Sequence, residues 1–492
     1  MSPTSVSAPR LASLIGPLAD ERPAYRALAE RLRLLIVDGR VIVGTRLPSE
    51  RDLVSALAVS RTTVTRAYAV LGESGYAVAR QGSGTVASLP SGMIRRGTGA
   101  SLFPAEAAED VIDLTCAATR APSGVAEAYA VAVEDMPAYL AGAGYFTVGV
   151  LELRERIALR YSERGLPTTA DEILVTSGAV AGMAIITRAY LRPGERVLLE
   201  NPTYPNTAES LRRMGARLVA TPVDSSGWDT SAMVATLRSS TPKAAVLVPD
   251  FHNPTGAFMP DDQRAEVTHA LKRAGTLTLI DETITEVRLD PGDGALPFGA
   301  HHRDAIMIGS ASKSHWGGLR LGWIRAPKSE LARLVDARVT IDLGAPVVEQ
   351  LVLLHLLRQT SGMPEERRGE LATQRDTAVA AMRTALPDIN FAIPHGGLSL
   401  WLHLPTESSS RVVEAAERVG LLLASGTRFA ATGTLERWLR FPYVLPPSQL
   451  EEAVHRLALA VSARGGQQIT GPASGAATKA GQLPAESRPL VA

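Results

Sequence analysis

Cysteine is all but missing from the 492-residue chain. Cys116 stands alone, which excludes an intrachain disulfide and any cysteine-based zinc or iron–sulfur site. A reducing cytoplasm fits that usage. Lysine is almost as scarce: Lys243, Lys272, Lys313, Lys328 and Lys479 are the whole set, and the rest of the 51 basic side chains are arginine. Arginine is no amine nucleophile, so chemistry that needs one has those candidates and no others. No apolar run approaches the roughly 18 residues of a spanning helix. Residues 1–19 place Arg10 before a short apolar patch broken by Gly16 and Pro17, a poor signal peptide. A net charge of +1 argues against a wholly basic nucleic-acid coat or a polyanion mimic. The absences together predict a soluble, cytoplasmic protein with no metal and no membrane partner.

What is present points to more than one domain. With 45% hydrophobic residues the chain can fill a core, and its length exceeds what one core usually serves. The charge is unevenly spread: residues 22–86 hold ten arginines against five acids, so a basic module precedes a mildly acidic body. Residues 88–109 (SLPSGMIRRGTGASLFPAEAAE) read as a linker. Across 110–463, apolar runs at 197–199, 244–248, 277–280 and 306–308 alternate with helical patterns, the signature of a mainly parallel sheet covered on both faces. Residues 464–492 lack periodicity and are expected to be disordered. There are no internal repeats.

The basic module, 20–87, reads as helix, helix, turn, helix, hairpin. Leu28, Leu32, Leu35 and Ile36 mark the first helix. LPSERDL gives the second a cap, Ser49, with Asp52 three residues on. In RTTVTRAYAVLGESGY, Val64, Ala67, Tyr68 and Leu71 share one face while Arg61, Thr62, Thr63, Thr65 and Arg66 fall on others. VARQGSGTV then alternates around a Gly-Ser-Gly turn. This is a winged helix-turn-helix, whose second helix can offer arginine to guanine edges in a major groove. The segment closely resembles the GntR family over about 65 residues. By that resemblance Arg51, Arg61, Thr62, Thr63, Arg66 and Gly82 are the expected contacts to a double-stranded DNA operator.

Short signatures follow in order along the body. GYFTVGVLELRERIALRYSERG opens a helix after an aromatic turn. In VTSGAVAG a strand ends and a helix begins, leaving backbone N–H groups free for an anion. NPTYP, HNPTG, LIDET, SASKSHWGGLRLGW and WLRFP come next. Together they resemble the class I/II aminotransferases of fold type I, which bind pyridoxal 5′-phosphate. The implied fold is α/β, a mainly parallel mixed sheet with a smaller C-terminal α+β subdomain.

The resemblance implies roles residue by residue. Lys313, one of so few lysines, is the Schiff-base lysine, and Asp281, closing the apolar strand LTLID, is the partner of the pyridinium nitrogen. Asn253 hydrogen-bonds the phenolic oxygen and Tyr204 stacks on the ring. Gly178, Ala179 and Val180 meet the phosphate through backbone N–H groups, with Ser310 and Arg320 beside them. Tyr145 reaches the phosphate of a partner subunit, which implies a homodimer. Arg440 clamps an effector carboxylate. One departure stands out: family members carry a tyrosine two or three residues after the ring aspartate, where this chain has Thr283 and Ile284. Cys116 reads as a small buried hydrophobe, and His252 and His315 receive no ligand role.

A GntR-type winged helix joined to an aminotransferase-like domain resembles the MocR subfamily of transcriptional regulators. The expectation is a regulator that senses an amino acid, an amine or pyridoxal 5′-phosphate by Schiff-base exchange, in preference to a working aminotransferase with an accessory DNA-binding module.

Overall fold

The computed structural model describes residues 5–18, 23–37, 41, 44–80, 84–88, 90, 111–292, 294–360 and 362–462. Most of the expected linker and the expected tail at 464–492 lie outside the described residues, as does Gly82.

Three helices, Ala24–Val37, Glu50–Leu57 and Arg61–Glu73, form the N-terminal module with an antiparallel hairpin, Ala77–Arg80 and Gly84–Ala87, in register from Ala77↔Ala87 to Arg80↔Gly84. Serine caps start two of them: Ser49 accepts the Asp52 amide at 3.2 Å and Ser60 that of Thr63 at 3.1 Å. Leu28, Leu32, Leu53, Val64 and Ala67 are buried in one core. Tyr68 joins it because its hydroxyl finds the Pro48 carbonyl at 2.9 Å. A helix ahead of the expected start at residue 20, Ala8–Ile15, adds Leu11 and Ile15 to the same core. Ala8, Leu11, Leu14 and Ile15 do recur at helical spacing, but in eight residues closed by Gly16 and Pro17 they read from sequence only as a short apolar patch.

The body is built on an eight-stranded sheet. Its spatial order is Ile173–Thr176, Gly322–Arg325, Ile306–Ser310, Leu277–Asp281, Ala244–Leu247, Arg196–Asn201, Arg217–Asp224 and Gly227–Trp228. The five strands from Ile306–Ser310 to Arg217–Asp224 run parallel, and Gly322–Arg325 is antiparallel to both its neighbours. The strand centres are apolar on both faces because helices cover both, as expected of a crossover-connected sheet. A smaller C-terminal subdomain follows. There a three-stranded antiparallel sheet of Ser399–His403, Trp438–Pro442 and Ala424–Ser425 packs with the helices Glu365–Ala385, Ser409–Arg418 and Pro447–Ser462. Leu421–Leu422 pairs in parallel with Ile112–Asp113, so the first strand of the body closes onto its last subdomain.

Candidate functional site

In open α/β sheets a crevice forms beyond the carboxyl ends of the parallel strands, and the cavity of this chain lies there. Asp281 and Ser310 are the last residues of their strands, and His252 and Asn253 follow Ala244–Leu247. Helix Ala179–Tyr190 starts at the same edge, directly after Gly178 at φ +91°. A Cβ on Gly178 would stand 3.0 Å from the Arg320 guanidinium, so glycine is what lets that arginine approach the helix start. Arg320 itself sits at φ +51°, a conformation costly for a side chain that size. The first intrahelical bond runs from the Gly182 amide to the Gly178 carbonyl, which leaves the amides of the first turn pointing outward.

The cavity brings together most of the positions singled out in the sequence: Ala179, Val180, Tyr204, Asn253, Asp281, Ser310, Lys313, Arg320 and Arg440. Gly178 borders it through Arg320. Tyr145 is not among its walls; it is 69% exposed on the surface. Cys116, expected as a buried hydrophobe, is half-buried on the cavity wall between Lys313 and Arg440. It sits there because the strand Ile112–Asp113 delivers residues 114–117 across the opening. The segment holds both cations by its backbone: Lys313 Nζ donates to the Ala117 carbonyl at 2.5 Å and Arg440 to that of Thr115 at 2.6 Å. No sequence signal marks this, since a backbone acceptor has no residue signature.

Burial governs the charges. It lowers the Lys313 ammonium, a fall that neighbouring Arg440 and Arg320 reinforce and Cys116 and Asp281 oppose. It pulls the Arg440 guanidinium down to about 10, so that group stays charged at neutral pH with its Nε lacking a hydrogen-bond partner. Burial also raises the Asp281 carboxyl, against bonds from the Thr283 amide at 2.9 Å and the Thr283 side chain. Thr283 therefore serves the aspartate and not the far side of the cavity. Asn253 Oδ1 is buried without a partner among the described residues. His252, given no role in the sequence, is locked on the wall: Nδ1 meets Thr255 Oγ1 at 3.0 Å and Nε2 faces buried Glu200 at 3.2 Å. Glu200 lies on a neighbouring strand, a pairing that separation along the chain conceals.

On the N-terminal module, Arg61, Thr62 and Arg66 are exposed along the outer face of the helix Arg61–Glu73, and Arg51 is exposed on the helix before it. Thr63 is only half-buried and its hydroxyl is engaged with the Ser60 cap at 2.8 Å, so it is less free than its neighbours. Arg66 lies over the Tyr25 ring at 5.1 Å. Arg46, which the sequence reading passed over, is exposed and places its guanidinium against Gly84 of the wing.

Known proteins match both halves. The family described as aminotransferase class I and II matches residues 126–457, and the one described as bacterial regulatory proteins, gntR family, matches residues 24–86. The chain belongs to the class I and II aminotransferase family, with a gntR-type helix-turn-helix module joined ahead of that domain, the arrangement of MocR-type regulators. The HTH-type transcriptional regulator TauR of Rhodobacter capsulatus is 27% identical over 478 residues, spanning 88% of this chain and 96% of TauR. The 2-aminoadipate transaminase of Thermus thermophilus is 27% identical over 336 residues, 63% of this chain and 84% of that enzyme. Among solved structures, the α-aminoadipate aminotransferase LysN of Thermus thermophilus, complexed with N-(5′-phosphopyridoxyl)-L-leucine, superposes with a TM-score of 0.65 at 25% identity, covering 72% of this chain and 92% of LysN. The regulator matches through nearly the whole chain and the enzyme through less than two thirds of it. Among the described residues, no helix is long and apolar enough to cross a membrane.

Proposed function

We propose that the protein is a DNA-binding transcriptional regulator that holds pyridoxal 5′-phosphate in its large domain and senses a small amino acid or amine there. The observation that carries this is one cavity collecting Asp281, Lys313, Asn253 and Arg440 in a chain that also presents an exposed arginine-bearing helix. The residues fit the cofactor by their unmet needs. Among the described residues Asp281 has no ion-pair partner, Asn253 Oδ1 and Arg440 Nε have no hydrogen-bond partner, and a helix start stands beside Arg320.

When bound, the cofactor supplies an aldehyde carbon that bonds a primary amine, and an electron-poor ring. The chain's own residues do the rest. Lys313, its ammonium destabilised by burial, is poised to offer a neutral amine. Asp281 would hold a proton at a ring nitrogen, Asn253 would hydrogen-bond the phenolic oxygen and Tyr204 would stack on the ring. The amides of Gly178, Ala179 and Val180, with Ser310 and Arg320, would hold the phosphate at the helix start. Arg440, now on the Thr115 carbonyl, would be available to bind a ligand carboxylate. Tyr145 serves the partner subunit of a homodimer. On the DNA side Arg61, Thr62 and Arg66 enter the major groove while Arg51 meets phosphate, with Thr63 and Gly82 beside them. A cytoplasmic location accompanies this role.

Arg440 would equally suit a working aminotransferase, but Thr283 bonds to Asp281 and leaves the phenolic side to Asn253 alone, which favours sensing over turnover. The test pairs two measurements. Lys313→Ala should abolish the visible absorbance of the cofactor-loaded protein, and the wild type should leave a footprint upstream of its own gene. Rapid multiple-turnover transamination with no footprint would establish the enzyme instead.

A further inference from the structure

The DNA-reading module rests on the C-terminal subdomain through one charged patch. Its helix Ala24–Val37 lies against the helix Ser409–Arg418. Glu30 receives Arg33 through two bonds of 2.8 Å and Arg411 of the subdomain at 2.9 Å. Arg33 also reaches across to Glu414, where the Tyr76 hydroxyl donates at 3.2 Å and Arg418 at 2.6 Å. Glu414 is only 4% exposed. Burial would raise the Glu30 carboxyl, yet Arg33 and Arg411 together hold it below its ordinary value. Arg418 pairs with Glu414 from the same helix, so what docking adds is Arg33 and the Tyr76 hydroxyl, on a carboxylate sheltered from the solvent screening that weakens exposed ion pairs.

The patch is wired into the ligand cavity by the chain itself. Just beyond the docking helix, Leu421–Leu422 pairs with Ile112–Asp113, and Ala424 pairs with Arg440. Two and four residues past Asp113, the Thr115 and Ala117 carbonyls hold Arg440 and Lys313. A ligand that draws Lys313 away from the Ala117 carbonyl loosens the segment whose start pairs with Leu421–Leu422, next to the docking helix. In the docked state Arg61, Thr62 and Arg66 still face outward, so docking fixes the reading helix in place and does not hide it.

We propose that the Glu414-centred clasp is the surface through which the ligand cavity controls the DNA-reading module, with ligand capture at Lys313 loosening it. The proposal rests on the regulator reading. Its test uses the full chain, wild type against Glu414→Gln and Arg33→Gln, with Arg411→Ala as a milder variant at the exposed rim. Pyridoxal 5′-phosphate is the probe and a duplex from upstream of the protein's own gene the DNA. By small-angle scattering the wild type should expand on adding the probe, while Glu414→Gln and Arg33→Gln should be expanded beforehand, with unchanged circular dichroism and unchanged visible absorbance once loaded. The probe should shift wild-type DNA affinity by about tenfold, and the variants should bind as the loaded wild type does, with or without it. Variants as compact and as responsive as the wild type would overturn the clasp. A wild type that binds the duplex with no response to the probe would overturn the coupling. No binding to the duplex at all would remove the regulator reading itself, with the scattering still reporting on the docked contact.

Discussion

Lys313 and Arg440 are cations held away from water in the same cavity, each donating to a backbone carbonyl of the segment that crosses it. Scarcity singles out Lys313 in the sequence and an acid closing an apolar strand singles out Asp281, and the fold brings both to one cavity. Cys116 was misjudged because burial of a lone thiol is the ordinary outcome, and only the path of residues 114–117 puts it on the cavity wall. His315 shows what burial does beside the site. Burial, against the pull of nearby Glu286, lowers its pKa from 6.5 to about 4. Between those values the unfolded chain binds a proton that the folded one refuses. This contribution is therefore whole above pH 6.5 and is lost as pH falls toward 4, on the order of 3 kcal/mol. His315→Gln should flatten the acid limb of the Tm-against-pH profile. An unaltered acid limb would show that other groups set it.

Among the elements, the helix Arg61–Glu73 is legible in the sequence almost intact because Val64, Ala67, Tyr68 and Leu71 recur at helical period, and the structure adds the Ser60 cap that starts it. The outer face is then fixed by default, which is why Arg61, Thr62 and Arg66 emerge exposed. Arg61→Ala should cost about 1–3 kcal/mol of sequence discrimination and relax the preference at one base, with cofactor absorbance untouched. Anisotropy titrations against operator variants measure this; loss of the absorbance as well would mean the fold had failed. The helix Ala8–Ile15 escapes the sequence for the complementary reason: its apolar face spans only eight residues before Gly16, and only the core that Leu11, Leu14 and Ile15 meet gives it meaning.

At the level of the whole molecule, exposed apolar side chains gather where two segments adjoin. Leu140 and Tyr145 are 67% and 69% exposed, and Ile341 and Leu343 are 44% and 47%. Arg338 ties the segments together by bonding the Thr147 carbonyl at 2.8 Å. Apolar surface of this extent calls for a cover, and a second copy is the occupant consistent with a role for Tyr145 across a dimer interface. Sedimentation equilibrium should return twice the chain mass, and Tyr145→Ala combined with Leu343→Asp should shift the protein toward monomer and weaken cofactor affinity. A wild type that sediments as a monomer would remove Tyr145 from the site.

The sequence by itself determined the two-part architecture, the alternation of strands and helices, and most of the side chains that meet in the cavity. Those features are written in local period, in caps and in residue type. Only the tertiary structure decided what those side chains touch. That Thr283 serves Asp281, that Glu200 backs His252, and that Glu414 seats the DNA-reading module are contacts between positions separated along the chain or between backbone groups that any residue supplies. A near-neutral total charge concealed a basic N-terminal module on a mildly acidic body, and the cross-module pairs, Arg33 with Glu414 and Glu30 with Arg411, form only because the fold brings charges far apart in sequence within reach.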